Sequence, residues 1–68
     1  MLKISLAAAR VNKGLTQRDV AEKLRISTKT LVNWENGTTF PTIEKVYELC
    51  ELYGVSVDNL IFLQNNNA

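Results

Sequence analysis

The chain has 68 residues, which is enough for one small domain and too few for a second. It contains one cysteine and no histidine, so a disulfide framework, a Cys/His zinc site and catalysis by imidazole are excluded. We therefore predict a binding protein, with no enzyme activity, metal, cofactor or small-molecule ligand. No apolar run approaches the ~18 residues of a membrane span, and the start lacks a secretory signal. The expected location is the cytoplasm, without membrane contact.

The charges are distributed unevenly along the chain, although their sum is only +1. Residues 1–38 carry seven basic and three acidic side chains, whereas residues 39–68 carry one basic and four acidic side chains. The amino-terminal part is therefore the natural place for an anionic partner. A plain solvated surface would show the same distribution, and charge alone favours that interpretation.

Local signals along the chain predict five helices. Glycines that can end a helix follow three apolar patterns of helical period, at Gly14, Gly37 and Gly54. Hydroxyl side chains that can cap a first helical turn occur at Ser5, Thr16, Ser27, Thr42 and Ser56. The predicted fold class is therefore all-α, with five helices in one domain over residues 1–63. Residues 64–68 are expected to form a disordered polar tail.

The fourth predicted helix has an apolar stripe that favours burial. The stripe steps by three or four residues through Ile43, Val46, Tyr47, Cys50 and Tyr53. Cys50 is accordingly interpreted as a small buried hydrophobe and not as a reactive thiol.

Residues 17–36 have the pattern of a helix-turn-helix. Their apolar positions predict two short helices that turn between Leu24 and Ser27 and close on one core. Ala21 favours this packing, because only a small side chain lets two helices cross steeply at close range. If the second helix covers residues 28–36, Leu31 and Trp34 are directed inward.

The opposite stripe of that second helix has side chains that suit a major groove: Thr28, Lys29, Val32, Asn33 and Asn36. Lys29 can donate to guanine and Asn33 can pair with adenine, while Thr28 or Val32 can touch a thymine methyl group. A solvent-exposed helix face would have the same residues, and the pattern by itself leaves both interpretations open.

A longer ordered set of residues resembles a known family. The set is Leu15-Thr16-Gln17, Val20-Ala21, Leu24, Ile26-Ser27, Leu31, Trp34-Glu35-Asn36-Gly37, Pro41 and Leu52-Tyr53-Gly54-Val55-Ser56. It is similar to the lambda-repressor-like DNA-binding domains (Cro type, xenobiotic-response-element type) of phage and bacterial regulators. The resemblance covers about residues 4–62 and implies a five-helix bundle whose third helix enters the major groove.

The resemblance also implies roles for individual residues. Base contacts would come from Thr28, Lys29 and Asn33, with Val32 as a neighbour, and phosphate contacts from Gln17, Asn36 and Thr38. Arg10 and Glu35 would form a partly buried ion pair between the first and third helices. Arg25 departs from the family, which most often has glycine in the tight turn, so a mildly strained turn is expected.

The predicted function is that of a sequence-specific regulator that binds double-stranded DNA, a repressor of a phage, prophage or mobile element. The alternative is a protein-interaction module of the antitoxin or anti-repressor type. The apolar run Leu60 to Leu63 exceeds what a short final helix can bury, so Phe62 and Leu63 are candidates for a homodimer interface. A homodimer would match an inverted-repeat operator. In the plainer alternative Leu60 and Leu63 close the core and the monomer dimerises only on DNA.

Overall fold

A computed structural model describes residues 3–63 of the chain. It consists of four α-helices, one 3-10 turn and one pair of short strands. In chain order these are β1 (Ile4–Ser5), α1 (Leu6–Asn12), α2 (Gln17–Leu24), α3 (Thr28–Asn36), α4 (Ile43–Tyr53), the 3-10 turn (Val57–Asn59) and β2 (Leu60–Ile61). The predicted disordered tail, residues 64–68, lies outside the described residues. Within residues 3–63, no helix has both the length and the apolar character that crossing a bilayer requires.

The four α-helices begin where the sequence predicts them to begin. At each start a hydroxyl oxygen accepts a hydrogen bond from the backbone N–H three residues later, and the four capping residues are Ser5, Thr16, Ser27 and Thr42. At α2 the cap is reciprocal, because the Asp19 carboxylate accepts the backbone N–H of Thr16 at 2.9 Å. This bond is the main reason why the pKa of Asp19 lies below its ordinary value. Local side-chain chemistry thus fixes the helix boundaries.

The prediction of a fifth helix is wrong, and the fold is mostly helical without being all-α. After Ser56 the chain makes only the 3-10 turn and then enters β2. This strand runs parallel to β1, with Ile4 opposite Leu60 and Ser5 opposite Ile61. The Lys3 ammonium also donates to the carbonyl oxygen of Asp58 at 2.7 Å. Because the backbone of β2 finds hydrogen-bonding partners in the first strand, the last described residues do not continue as a helix.

The core lies between the helices and is centred on three completely buried side chains, Leu31, Leu49 and Val20. From α4 it receives Val46, Leu49, Cys50 and Tyr53. The predicted burial of Ile43 and Tyr47 is wrong, since these side chains are 62% and 61% exposed. The apolar residues of α4 cover more of its circumference than α2 and the 3-10 turn can screen, so one edge stays in solvent.

The turn between α2 and α3 depends on Arg25, which has left-handed backbone angles of φ 59° and ψ 46°. The backbone N–H of Arg25 donates to the carbonyl of Glu22 at 3.3 Å and closes the last turn of α2. The next N–H, that of Ile26, donates to the carbonyl of Ala21 at 3.0 Å. The Lys45 ammonium from α4 donates to the carbonyl of Leu24 at 2.8 Å. The turn therefore keeps its left-handed form despite a Cβ atom that disfavours it by about 1 kcal/mol.

Replacing Arg25 with glycine should stabilise the domain, because glycine adopts a positive φ without the Cβ penalty. We expect Arg25→Gly to raise the free energy of unfolding by about 0.5 to 1 kcal/mol, measured by urea denaturation. The matched control is Gly14→Ala, at φ 71°, where an added Cβ would meet no atom within 4 Å. This control should lose about 1 kcal/mol through backbone strain alone. A decrease in stability with Arg25→Gly would contradict the assignment of strain to this turn.

Candidate nucleic-acid interface

Helix α3 is held in place by its inner face. Leu31 and Trp34 are buried in the core, and Glu35 is the one charged residue among the buried side chains of residues 3–63. Helix α2 packs behind α3 and contributes the buried residues Val20, Ala21 and Leu24. The two helices therefore form the compact helix-turn-helix unit that the spacing of apolar residues predicts.

The outer face of α3 points away from this core. Thr28, Lys29 and Asn36 are exposed, and Val32 and Asn33 are half-buried between them and the body of the domain. The structure thus brings the four predicted base-contacting residues onto one side of one helix. Their contact with bases stays a prediction.

Arg10 of α1 and Glu35 of α3 form an ion pair at the edge of the core. The Arg10 Nε donates to Glu35 Oε2 at 2.8 Å, and its Nη2 lies 3.4 Å from Oε1. The two side chains are only 14% and 7% exposed. Arg10 Nη1 also donates to the carbonyl of Leu15 at 2.9 Å. This network joins α1, the α1–α2 connection and α3 through charge-assisted hydrogen bonds.

Gln17 lies closer to this ion pair than the sequence suggested. It is the first residue of α2, and its Nε2 donates to Glu35 Oε1 at 2.9 Å. Sequence reasoning assigned Gln17 to a phosphate contact and missed this bond. No local signal could have found it, because the two residues are 18 positions apart and meet only when α2 packs on α3.

The hydroxyl group of Tyr53 is buried near the same pair. It has no hydrogen-bonding partner among residues 3–63. Burial, followed by the negative charge of Glu35, raises the pKa of Tyr53 to about 12, while Arg10 acts in the opposite direction. The phenol is therefore neutral at physiological pH and contributes no charge to this part of the core.

The loop after α3 is stabilised by Asn36 and Thr38, two of the residues for which the resemblance implies phosphate contacts. The Asn36 Oδ1 accepts the backbone N–H of Thr38 at 3.2 Å and the Thr38 hydroxyl at 2.7 Å. Both residues are exposed at the carboxyl end of α3. Their mutual bonds fix the shape of this loop beside the outer face of the helix.

The two candidate residues for a dimer interface lie in different environments. Phe62 is half-buried against the core, and its ring meets that of Phe40 edge to face with centroids 6.5 Å apart. Leu63 is 45% exposed, and Phe40 is 58% exposed. Leu60 is buried and closes the core, as the plainer alternative expected, but Leu63, which the same alternative placed in the core, faces solvent.

The energetics of the ion pair can be tested by removing one or both charges. Arg10→Met should lower the free energy of unfolding by about 3 kcal/mol, because it leaves the Glu35 carboxylate buried without its main partner. The double variant Arg10→Met/Glu35→Met should stay within about 1 kcal/mol of the unchanged protein, since it strands no charge. Urea denaturation measures both values, and equal losses in the two variants would contradict this account.

Comparison with known proteins agrees with the fold. Residues 4–66 match the protein family described as "Helix-turn-helix domain". The chain is 32% identical over 56 residues to the transcriptional activator BcrR of Enterococcus faecalis, with 82% of this chain and 28% of BcrR covered. It is 39% identical over 56 residues to the transcriptional regulator ImmR of Bacillus subtilis, with 82% of this chain and 44% of ImmR covered.

A third relative comes from a phage. The chain is 35% identical over 52 residues to the cryptic phage CTXphi transcriptional repressor RstR of Vibrio cholerae, with 76% of this chain and 47% of RstR covered. The chain thus spans less than half the length of each of these three relatives. No solved structure matches it significantly. The helix-turn-helix interpretation of residues 17–36 is confirmed, and the chain belongs to the helix-turn-helix domain family.

Proposed function

We propose that this domain is a transcriptional regulator that recognises a specific sequence of double-stranded DNA through α3. The observation that carries the proposal is the division of α3 into two faces. Leu31, Trp34 and Glu35 anchor one face, and the polar stripe that begins at Thr28 and Lys29 is open to solvent on the other. A helix presented in this way fits the major groove of B-form DNA, which is wide enough for one α-helix.

In the proposed complex, α3 reads base edges with four side chains from its first six residues. Lys29 donates to guanine O6 or N7, and Asn33 forms two hydrogen bonds with adenine. Thr28 and Val32 supply apolar contacts to thymine methyl groups. Thr28 and Lys29 are the more exposed of these four residues, so they would reach deepest into the groove.

Phosphate contacts would hold the helix in position from both sides. Gln17 begins α2, where unpaired backbone amides and the helix dipole favour an anion. Asn36 ends α3 and Thr38 lies just after it, in the loop that their mutual hydrogen bonds fix. These contacts are independent of base sequence and would set the register of the domain on the duplex.

The names of the relatives support a regulatory role. One is named an activator, one a regulator and one a phage repressor. We propose repression, by occupation of a promoter of a phage or mobile element, and hence action in the cytoplasm, where that DNA lies. A protein-interaction module is less well supported, because Val32 is the only apolar residue of the outer stripe and it is half-buried.

We further propose that two copies of the domain bind an inverted-repeat operator. Half-sites in such operators lie about 34 to 36 Å apart, and a two-fold symmetric dimer matches that spacing. Phe62 and Leu63 are the proposed contact residues, with the exposed ring of Phe40 beside Phe62.

The base-reading role is tested with Lys29→Ala. We expect this variant to lose about 1 to 3 kcal/mol of binding free energy on the preferred sequence and to lose discrimination at one base position. Fluorescence anisotropy with single-base operator variants, selected first from random duplexes, measures both effects. The matched control is Lys23→Ala, an exposed lysine of α2 in the cleft against α4 and away from the outer stripe. Equal losses on every duplex with Lys29→Ala would reject its role as a reader.

The dimer interface is tested with Leu63→Ser, since Leu63 is exposed and its replacement spares the core better than that of Phe62. We expect light scattering to show a dimer for the unchanged protein and a monomer for the variant. Val11→Ser, an exposed apolar residue of α1, is the control and should leave the dimer mass unchanged. A dimer mass that persists in Leu63→Ser rejects this location of the interface.

A further inference from the structure

The contacts around Glu35 give Gln17 a defined orientation. Its carboxamide nitrogen donates to Glu35 Oε1 at 2.9 Å, and the same carboxylate accepts the Arg10 Nε at 2.8 Å on its other oxygen. Glu35 is almost completely buried, whereas Gln17 is half-buried and therefore reaches solvent. The buried Glu35 side chain thus holds the partly exposed Gln17 side chain in place.

The valence of an amide nitrogen decides what this orientation leaves free. The Nε2 of glutamine carries two N–H groups, and one of them is directed at Glu35. A second donor therefore remains on the same nitrogen, about 120° from the first. Since the first N–H fixes the plane of the amide, the direction of the second is fixed as well.

The charge balance of the network is compatible with an anion nearby. A lone buried carboxylate would repel a phosphate, because charges interact strongly where water is excluded. Arg10 neutralises Glu35 through two nitrogen atoms, at 2.8 and 3.4 Å. The pair consequently orients Gln17 without adding a net charge to the surface.

We propose that Glu35 is a positioning residue for DNA binding, which aims the second N–H of Gln17 at a phosphate oxygen, and that Arg10 makes this possible by neutralising Glu35. The inference rests on the proposed function and adds to it a chain of contacts from α1 to the DNA backbone. Its benefit is pre-organisation: a glutamine side chain that is already ordered loses less rotamer entropy when it binds.

The proposal predicts that the effects of removing the buried pair and of removing Gln17 are not additive. The proteins to compare are the unchanged domain, Gln17→Ala, Arg10→Met/Glu35→Met and the triple variant, each bound to specific and to random duplexes. We expect Gln17→Ala and the double variant each to weaken binding about tenfold on every duplex, the magnitude of one hydrogen bond to a charged acceptor. The triple variant should bind no more weakly than either of them.

The salt dependence of binding separates this role from a general change in electrostatics. Neither set of substitutions alters the net charge, so the slope of log Kd against log salt should stay unchanged while the affinity falls. Losses that add in the triple variant, or full affinity in the double variant, would overturn the proposal. Tighter binding by the double variant would also overturn it, since it would mean that Glu35 withholds the Gln17 amide from DNA.

A second measurement uses the unchanged protein and does not depend on how well the variants fold. In side-chain amide NMR spectra, one Nε2 proton of Gln17 should already be shifted by the Glu35 carboxylate in the free domain. On titration with duplex DNA, only the other Nε2 proton should shift. Equal shifts of both protons, or loss of the Glu35 bond on binding, reject the positioning role. If the unchanged domain binds no duplex at all, the proposed function itself fails, and that outcome is distinct from additive losses.

Discussion

The ion pair between Arg10 and Glu35 ties α1 and the start of α2 to the buried side of α3. It lies where α1, the start of α2 and the end of α3 converge, and its hydrogen bonds reach all three. A buried ion pair adds little net stability, because the gain in attraction is offset by desolvation. Its directional bonds have a different effect: together with the burial of Leu31 and Trp34, they keep the Glu35 side of α3 turned inward and the opposite side outward.

The four α-helices could be predicted because the information that sets them is local. Each start has a capping hydroxyl, and Ser27 and Gly37 enclose α3 at both ends. The sharp turn between Leu24 and Ser27 also follows from the two apolar patterns, whereas its left-handed form at Arg25 follows from the family resemblance, since the family most often has glycine there. The outer stripe of α3 follows from helical periodicity alone, once its two ends are known.

Other features could not be predicted, since they depend on contacts between distant parts of the chain. Nothing near Leu60 indicates that its backbone pairs with Ile4. The exposure of Ile43 and Tyr47 is decided by how much of α4 its neighbours cover, which periodicity does not show. The bond between Gln17 and Glu35 likewise requires the packing of α2 on α3. In each case the residue types were visible in the sequence and their partners were not.

The parallel pairing of β1 with β2 places the two ends of the described segment side by side. Hydrogen bonds between them, with the Lys3 contact to Asp58, make the stability of each end depend on the other. Deleting the first five residues would therefore loosen Leu60 in the core and weaken the packing of Phe62, two residues further along. Because the strands run parallel, the chain enters β1 at one end of the pair and leaves β2 at the other, so proteins fused before β1 and after β2 would point in opposite directions.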